Sequence, residues 1–152
     1  MKKQKINYEI KETNPKDSVG VKKVPMSTVS ARVIMEIGLG MLEGDRKYGR
    51  HNYRVAGVRG SVYYDACCRH IMAWWEGEDI DPESGLSHIT KALSSLVVLR
   101  DAMLNNKFYD DRPPKLEDGW VKHLNEKAKE IIEKYPNPVK PFLEKDYNKL
   151  NK

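Results

Sequence analysis

The sequence predicts an all-α fold: a helical bundle of about four to five helices with an extended N-terminal arm. Several stretches repeat apolar residues at helical spacing, as Val29, Val33, Ile37 and Met41 do. The segments between them carry proline and glycine turn signals. Signals for strands are few. The 152 residues suit one domain, organised as an arm over 1–25, a helical core over 26–107 and a helical extension of the same domain over 108–152.

The arm lacks helical periodicity. Asn14-Pro15-Lys16-Asp17 and Gly20 signal turns, Pro25 marks a boundary, and a short strand near Ile6–Ile10 is an option. The first long helix is expected from about Ser27 to Gly49, capped by Ser27 or Thr28. Glu36 and Glu43 share one of its faces. Gly38, Gly40 and Gly44 each weaken it by ~1 kcal/mol relative to alanine, a cost accepted where a backbone or a ligand comes close.

Residues 49–60 read as a glycine- and arginine-rich loop. The second helix, about Ser61–Trp75, directs Val62, Ala66, Ile71, Ala73 and Trp74 or Trp75 inward. An acidic loop over Glu76–Gly85 follows, broken by Pro82. The third helix, about Glu83–Asn105, has an apolar stripe through Leu86, Ile89, Leu93, Leu96 and Val97. Asp110-Asp111-Arg112-Pro113-Pro114 is a stiff connector. A fourth helix over about Leu116–Tyr135 has Val121, Leu124, Ala128, Ile131 and Ile132 on its inner face, and residues 142–150 suit a final short helix.

Composition narrows the function. Hydrophobic residues are 39% and charged residues 32% of the chain, and no apolar run approaches the ~18 residues of a membrane span. No apolar stretch follows Met1-Lys2-Lys3-Gln4-Lys5, so no secretory signal is expected. Cys67 and Cys68 are adjacent, which disfavours a disulfide and suits reduced thiols in a cytoplasmic protein. The net charge of +5 favours anionic partners.

The stretch from Asp65 to His88 is richest in chemistry. Glu43, Asp65, Glu78, Asp81 and His88 form an oxygen- and imidazole-bearing set of the kind that holds Mg²⁺ or Mn²⁺, and His70 adds a proton-handling group. The histidines and cysteines lack zinc-site spacing, and no dinucleotide-binding, P-loop or nucleophile-elbow motif occurs. Lys47-Tyr48-Gly49-Arg50-His51-Asn52-Tyr53-Arg54 interleaves groups that hold phosphates, stack bases and read base edges. Arg59 and Arg69 are further phosphate candidates, and Trp74 is a candidate stacking surface.

The ordered set Asn14-Pro15-Lys16-Asp17, Lys47-Tyr48-Gly49, Asn52-Tyr53-Arg54, Tyr64-Asp65-Ala66, Arg69-His70, Trp74-Trp75, Gly77-Glu78-Asp79-Ile80-Asp81, Ser84-Gly85-Leu86, His88 and Asp111-Arg112-Pro113-Pro114 resembles the dATP/dGTP diphosphohydrolase N-terminal domain family. That family is found largely in phages and prophages and is similar in outline to MazG-like all-α nucleoside triphosphate pyrophosphatases. The resemblance covers about residues 14–114. It implies a Mg²⁺- or Mn²⁺-dependent enzyme that converts dATP or dGTP to the monophosphate and pyrophosphate. Glu43, Asp65, His70, Glu78, Asp81 and His88 fall on the family's polar signature; from the residue chemistry, Asp65, His70 and Glu78 are expected to be catalytic, and Glu43, Asp65, Glu78, Asp81 and His88 to be metal ligands. Lys47, Tyr48, Asn52, Arg54, Arg59, Arg69, Trp74 and Lys91 would bind nucleotide. The resemblance also implies a homodimer or homotetramer. The residues themselves lead to the expectation of a cytoplasmic protein, in the host cytoplasm if phage-encoded, with no membrane partner and with nucleic-acid binding as the weaker reading.

The chain departs from the family pattern at Tyr53, where tryptophan is frequent, and at Lys91, where a second histidine is frequent. Lys91 lies one turn beyond His88 on the same helix face. A cation there weakens a metal site and strengthens phosphate binding. A non-catalytic protein that sequesters a nucleotide signal is therefore the alternative reading.

Overall fold

The computed structural model describes residues 14–150, so the strand considered at Ile6–Ile10 lies outside the described residues. The fold is all-α, as the periodicity predicts. Its elements are α1 (Pro15–Gly20), α2 (Ala31–Tyr48), α3 (Tyr53–Ala56), β1 (Val58–Arg59), α4 (Gly60–Trp75), α5 (His88–Leu104), β2 (Phe108–Tyr109), α6 (Trp120–Lys134) and α7 (Glu144–Leu150). The chain divides into two compact units between Arg112 and Pro113.

In the first unit α5 is central, with α2, α3 and α4 packed against it. Its buried residues are small or polar: His88, Thr90, Ala92, Ser94 and Ala102. Short side chains let two neighbouring helices approach from different sides. Gly40 does the same from α2, because a Cβ there would stand 2.2 Å from Ser94 Oγ and 3.1 Å from Ser94 Cβ. Gly38 and Gly44 have nothing within 4 Å of such a Cβ, so crowding explains only one of the three helix glycines.

At the far end of α5, Tyr53, Val58 and Ala102 form a core cluster with Met41, Tyr63, Val98, Leu99 and Phe108 around it. The short parallel pairing of Val58 with Phe108 and Arg59 with Tyr109 ties the α3–α4 junction to the segment after α5. The start of α4 has no cap from its own N-cap residue. Asp111 supplies one from fifty positions along the chain, accepting from Ser61 N at 2.8 Å and Ser61 Oγ at 2.5 Å.

Several elements differ from the sequence expectation for identifiable reasons. Residues 15–20 of the arm are helical. The cap of α2 is Ser30, whose side chain accepts from Val33 N, rather than Ser27 or Thr28. The loop over 49–60 contains α3 and β1. The third long helix begins at His88, not near Glu83, because Asp81 and Leu86 close a turn with Asp81 N donating to Leu86 O, and Ser87 then caps α5.

The inward face of α4 is also rotated from the expected one. Val62 and Ile71 are exposed, and Gly60, Tyr63, Cys67 and His70 face inward instead. On α5, Leu96 and Val97 are exposed while Ile89 and Leu93 are partly buried.

The second unit holds α6 and α7. Helix α6 starts at Trp120 after Gly119, whose φ of +87° is left-handed. Its expected inner face, Val121, Leu124, Ile131 and Ile132, is exposed. No helix among the described residues is long and apolar enough to cross a membrane.

Candidate nucleotide site

A cleft of about 550 Å³ opens along α2, the α2–α3 turn and the middle of α5, a volume suited to a small organic ligand. Glu43, Lys47, Tyr48, Asn52 and Lys91 line it, five of the residues singled out from the sequence. The turn that delivers Tyr48 and Asn52 exists because Gly49, at φ +88°, ends α2 while its N–H donates to Asp45 O at 2.8 Å.

A compact ion cluster closes one end. The two oxygens of Glu43 face different ammonium groups: Oε1 lies 2.7 Å from Lys47 Nζ, and Oε2 accepts from Lys91 Nζ. Lys47 Nζ also lies 2.7 Å from Glu83 Oε1. Lys91 Nζ stands 4.0 Å from Asp81 Oδ2, and that same oxygen accepts from Ser84 Oγ at 2.5 Å. The Lys47 and Lys91 ammoniums hold the Glu43 carboxyl below its usual range. The Ser84 hydroxyl does the same for Asp81. Glu43, Asp81 and Lys91 keep only 14–20% of their side-chain exposure, so water screens this cluster less than a surface pair.

Beyond Asp81 lies a chain of ionisable groups. His70 Nδ1 and His88 Nδ1 are 2.8 Å apart, and His88 Nε2 is 3.3 Å from Glu78 Oε2. That last contact is an ion-pair distance without hydrogen-bond alignment, since the buried Nε2 makes no hydrogen bond. The arrangement selects a tautomer. A proton on His88 Nε2 faces the Glu78 carboxylate favourably, which leaves His88 Nδ1 to accept from His70 Nδ1–H. His70 Nε2 is then an unprotonated base. Burial first, and His88 second, push the His70 pKa down, so the ring is neutral at neutral pH.

Other expected residues stand elsewhere. Asp65 and Arg69 are exposed on α4, and neither lines the cleft. Arg54 is bound in a two-pronged contact to Asp101, Nε to Oδ2 at 2.7 Å and Nη2 to Oδ1 at 2.8 Å. Arg59 stacks over Tyr109, with its guanidinium 5.4 Å from the ring centre, and lies 3.9 Å from Asp111. Both arginines hold the α3–β2 region together rather than lining the cleft. Trp74 stands against Trp75, their ring centres 6.2 Å apart, and is also absent from the cleft wall. Tyr63 and His51 do line the cleft. His51 lies within the Lys47–Arg54 motif, whereas Tyr63 shows no sequence signal of its own, because only the packing of α2 and α4 on α5 brings it there.

Of the expected metal ligands, Glu43 and Asp81 stand in the ion cluster, Glu78 and His88 in the imidazole chain, and Asp65 in neither. Among the described residues, no three His, Cys, Asp or Glu side chains are placed to hold a metal ion. Both oxygens of Glu43 face ammoniums, and Asp81 Oδ2 faces a third group of donors in Ser84 and Lys91. As arranged, these donors do not fit a resident Mg²⁺, which requires near-octahedral oxygen ligands at roughly 2.0–2.1 Å.

The chain belongs to the family described as dATP/dGTP diphosphohydrolase, N-terminal, which matches residues 13–112. It is 32% identical over 90 residues to a protein of Salmonella phage PMBT28 named dATP/dGTP diphosphohydrolase. That alignment covers 59% of this chain and 30% of the phage protein, so the matched part spans less than a third of the relative's length. No solved structure matches the chain.

Proposed function

We propose that the chain binds dATP or dGTP in the α2–α5 cleft and hydrolyses it to the deoxynucleoside monophosphate and pyrophosphate. The observation that carries this reading is the pair of cleft-lining ammoniums, Lys47 and Lys91, with the His70–His88 imidazole pair standing outside the cleft wall. The ammoniums meet the charge of a triphosphate. Tyr48 offers a stacking face and Asn52 an amide for the base edge. Family membership and the name of the phage relative support the choice of substrate.

In the reaction, water attacks the α-phosphorus. The bond from that phosphorus to the bridging oxygen breaks, and its electron pair leaves with pyrophosphate. His70 Nε2 takes the proton of the attacking water. His88 Nδ1, 2.8 Å from His70 Nδ1, then accepts from the imidazolium, and the Glu78 carboxylate lies 3.3 Å beyond on His88 Nε2. Mg²⁺ or Mn²⁺, the ion expected for this chemistry, has to compete with Lys91 for Glu43 and Asp81.

A homodimer or homotetramer is part of the proposal. Ile34, Leu39 and Leu42 on α2 and Val62, Ile71 and Met72 on α4 are all exposed, and a second copy would cover such faces. The test is pyrophosphate release from each purine deoxynucleotide, with Mg²⁺, with Mn²⁺ and with a chelator. Folded protein that turns over neither dATP nor dGTP refutes hydrolysis.

A second reading, a nucleotide-binding protein that holds its ligand intact, is favoured by one observation: Lys91 occupies Glu43. Calorimetric binding of dGTP with the ligand recovered uncut supports it, and rapid product formation excludes it.

A further inference from the structure

We propose that Lys91 stands in for a divalent cation between Glu43 and Asp81, so that this chain takes the phosphates of its ligand on ammonium groups, without a metal ion. The proposal deepens the nucleotide reading above and rests on it only for the identity of the ligand.

The position is that of a bridging cation. The Lys91 ammonium contacts Glu43 Oε2 and lies 4.0 Å from Asp81 Oδ2. These two carboxylates come from different elements, α2 and the α4–α5 loop, and both face this ammonium. Neither is free. The other oxygen of Glu43 belongs to Lys47, and Asp81 Oδ2 also accepts from the Ser84 hydroxyl and, at 3.3 Å, from the Ser84 amide. A Mg²⁺ ion would have to strip these donors before it found its short oxygen bonds.

Charge bears on the same point. Glu43, Asp81 and Glu83 supply three negative charges, and Lys47 and Lys91 supply two positive ones. A dication would overturn this net charge of −1 and would meet two ammoniums at close range.

Lys91 is also held where it is. Its neighbours Thr90 and Ala92 are buried between α2 and α4, and its own side chain is 18% exposed. The side chain is thus less open to water than that of Lys47, which is 41% exposed. Both Lys47 and Lys91 line the 550 Å³ cleft, so the same ammoniums that neutralise the carboxylates face an incoming polyphosphate.

The test uses the whole chain and Mn²⁺ alone, followed by loss of the free-ion signal in electron paramagnetic resonance. Wild-type protein is compared with Lys91→Ala and with Lys91→Met, which keeps the stem and removes the charge, each checked for folding by circular dichroism. The variants are expected to bind Mn²⁺ about tenfold or more tightly than wild type, and Asp81→Asn added to Lys91→Ala is expected to abolish the gain. Wild type binding Mn²⁺ as tightly as the variants overturns the proposal, as does a folded variant with no gain.

A second arm measures dGTP affinity by calorimetry in Mg²⁺ and in chelator. Wild type is expected to bind equally in both, and a roughly tenfold loss in chelator overturns metal-free binding. Failure of wild type to bind any purine nucleotide in either condition sinks the nucleotide reading instead, and the Mn²⁺ arm still decides the role of Lys91.

Discussion

The three glycines of α2 give the sharpest test of the helix packing that builds the cleft. Replacing each by alanine isolates one variable, because all three lie in the helix interior. The propensity gain is the same for each, about 0.8–1 kcal/mol. The steric term is not. At Gly38 and Gly44 a Cβ meets no atom within 4 Å, so Gly38→Ala and Gly44→Ala keep the gain and raise stability by roughly 0.5–1 kcal/mol.

At Gly40 a Cβ would lie 2.2 Å from Ser94 Oγ and 3.1 Å from Ser94 Cβ. Rotating the hydroxyl relieves only the first contact, and it sacrifices the bond from Ser94 Oγ to Thr90 O at 2.9 Å. Overpacking of this kind costs about 1–3 kcal/mol, which outweighs the propensity gain at all but the lowest value. Gly40→Ala is therefore expected to be about 1 kcal/mol less stable than wild type. Its melting point should fall by about 3–5 °C, while those of the other two variants rise. Urea and thermal unfolding followed at 222 nm read all three. A Gly40→Ala protein as stable as Gly38→Ala would show that α2 and α5 do not cross at Ser94.

Further expectations concern charge and the cleft. His70 has a folded-state pKa below its ordinary value of 6.5, so between the two values the unfolded chain binds more protons than the folded one. Stability is thus full above about pH 6.5 and declines as pH falls below it; a His70→Gln variant whose melting point drops just as steeply between pH 7.5 and 5.5 would contradict this. Arg54→Ala should lower the melting point by freeing Asp101 while leaving dGTP affinity within about twofold in calorimetry, and a tenfold affinity loss would return Arg54 to the nucleotide site. Tyr48→Ala and Asn52→Ala should weaken dGTP by about tenfold yet leave inorganic triphosphate unchanged, since stacking and base-edge contacts are worth about 1–3 kcal/mol each; equal losses for both ligands would assign these residues to phosphate.

The sequence by itself determined the fold class, the three long helices of the first unit and the turn chemistry between them. Those features depend on local rules: apolar spacing in α2, the stop at Gly49, the break around Pro82. It also placed Lys47, Tyr48 and Asn52 side by side, because they lie within one helix end and its turn, where short separation fixes proximity; Glu43 it grouped instead with the distant acidic and histidine residues. Its ordered motifs likewise carried the family resemblance.

Tertiary structure alone decided the rest. Periodicity marks Val62 and Ile71 as core residues of α4 on apolar character, yet the helix docks through Tyr63, Cys67 and His70, because small and polar residues on α5 allow the closer approach. Arg54, Arg59 and Lys91 are similar cations in the sequence. Asp101 and Asp111 claim the first two, while α5 carries Lys91 to Glu43 and Asp81. A side chain's charge is local information, whereas the partner that neutralises it lies 47, 52 or 48 positions away. Only the crossing of helices, driven by packing, settles which ammonium faces a ligand and which holds the fold.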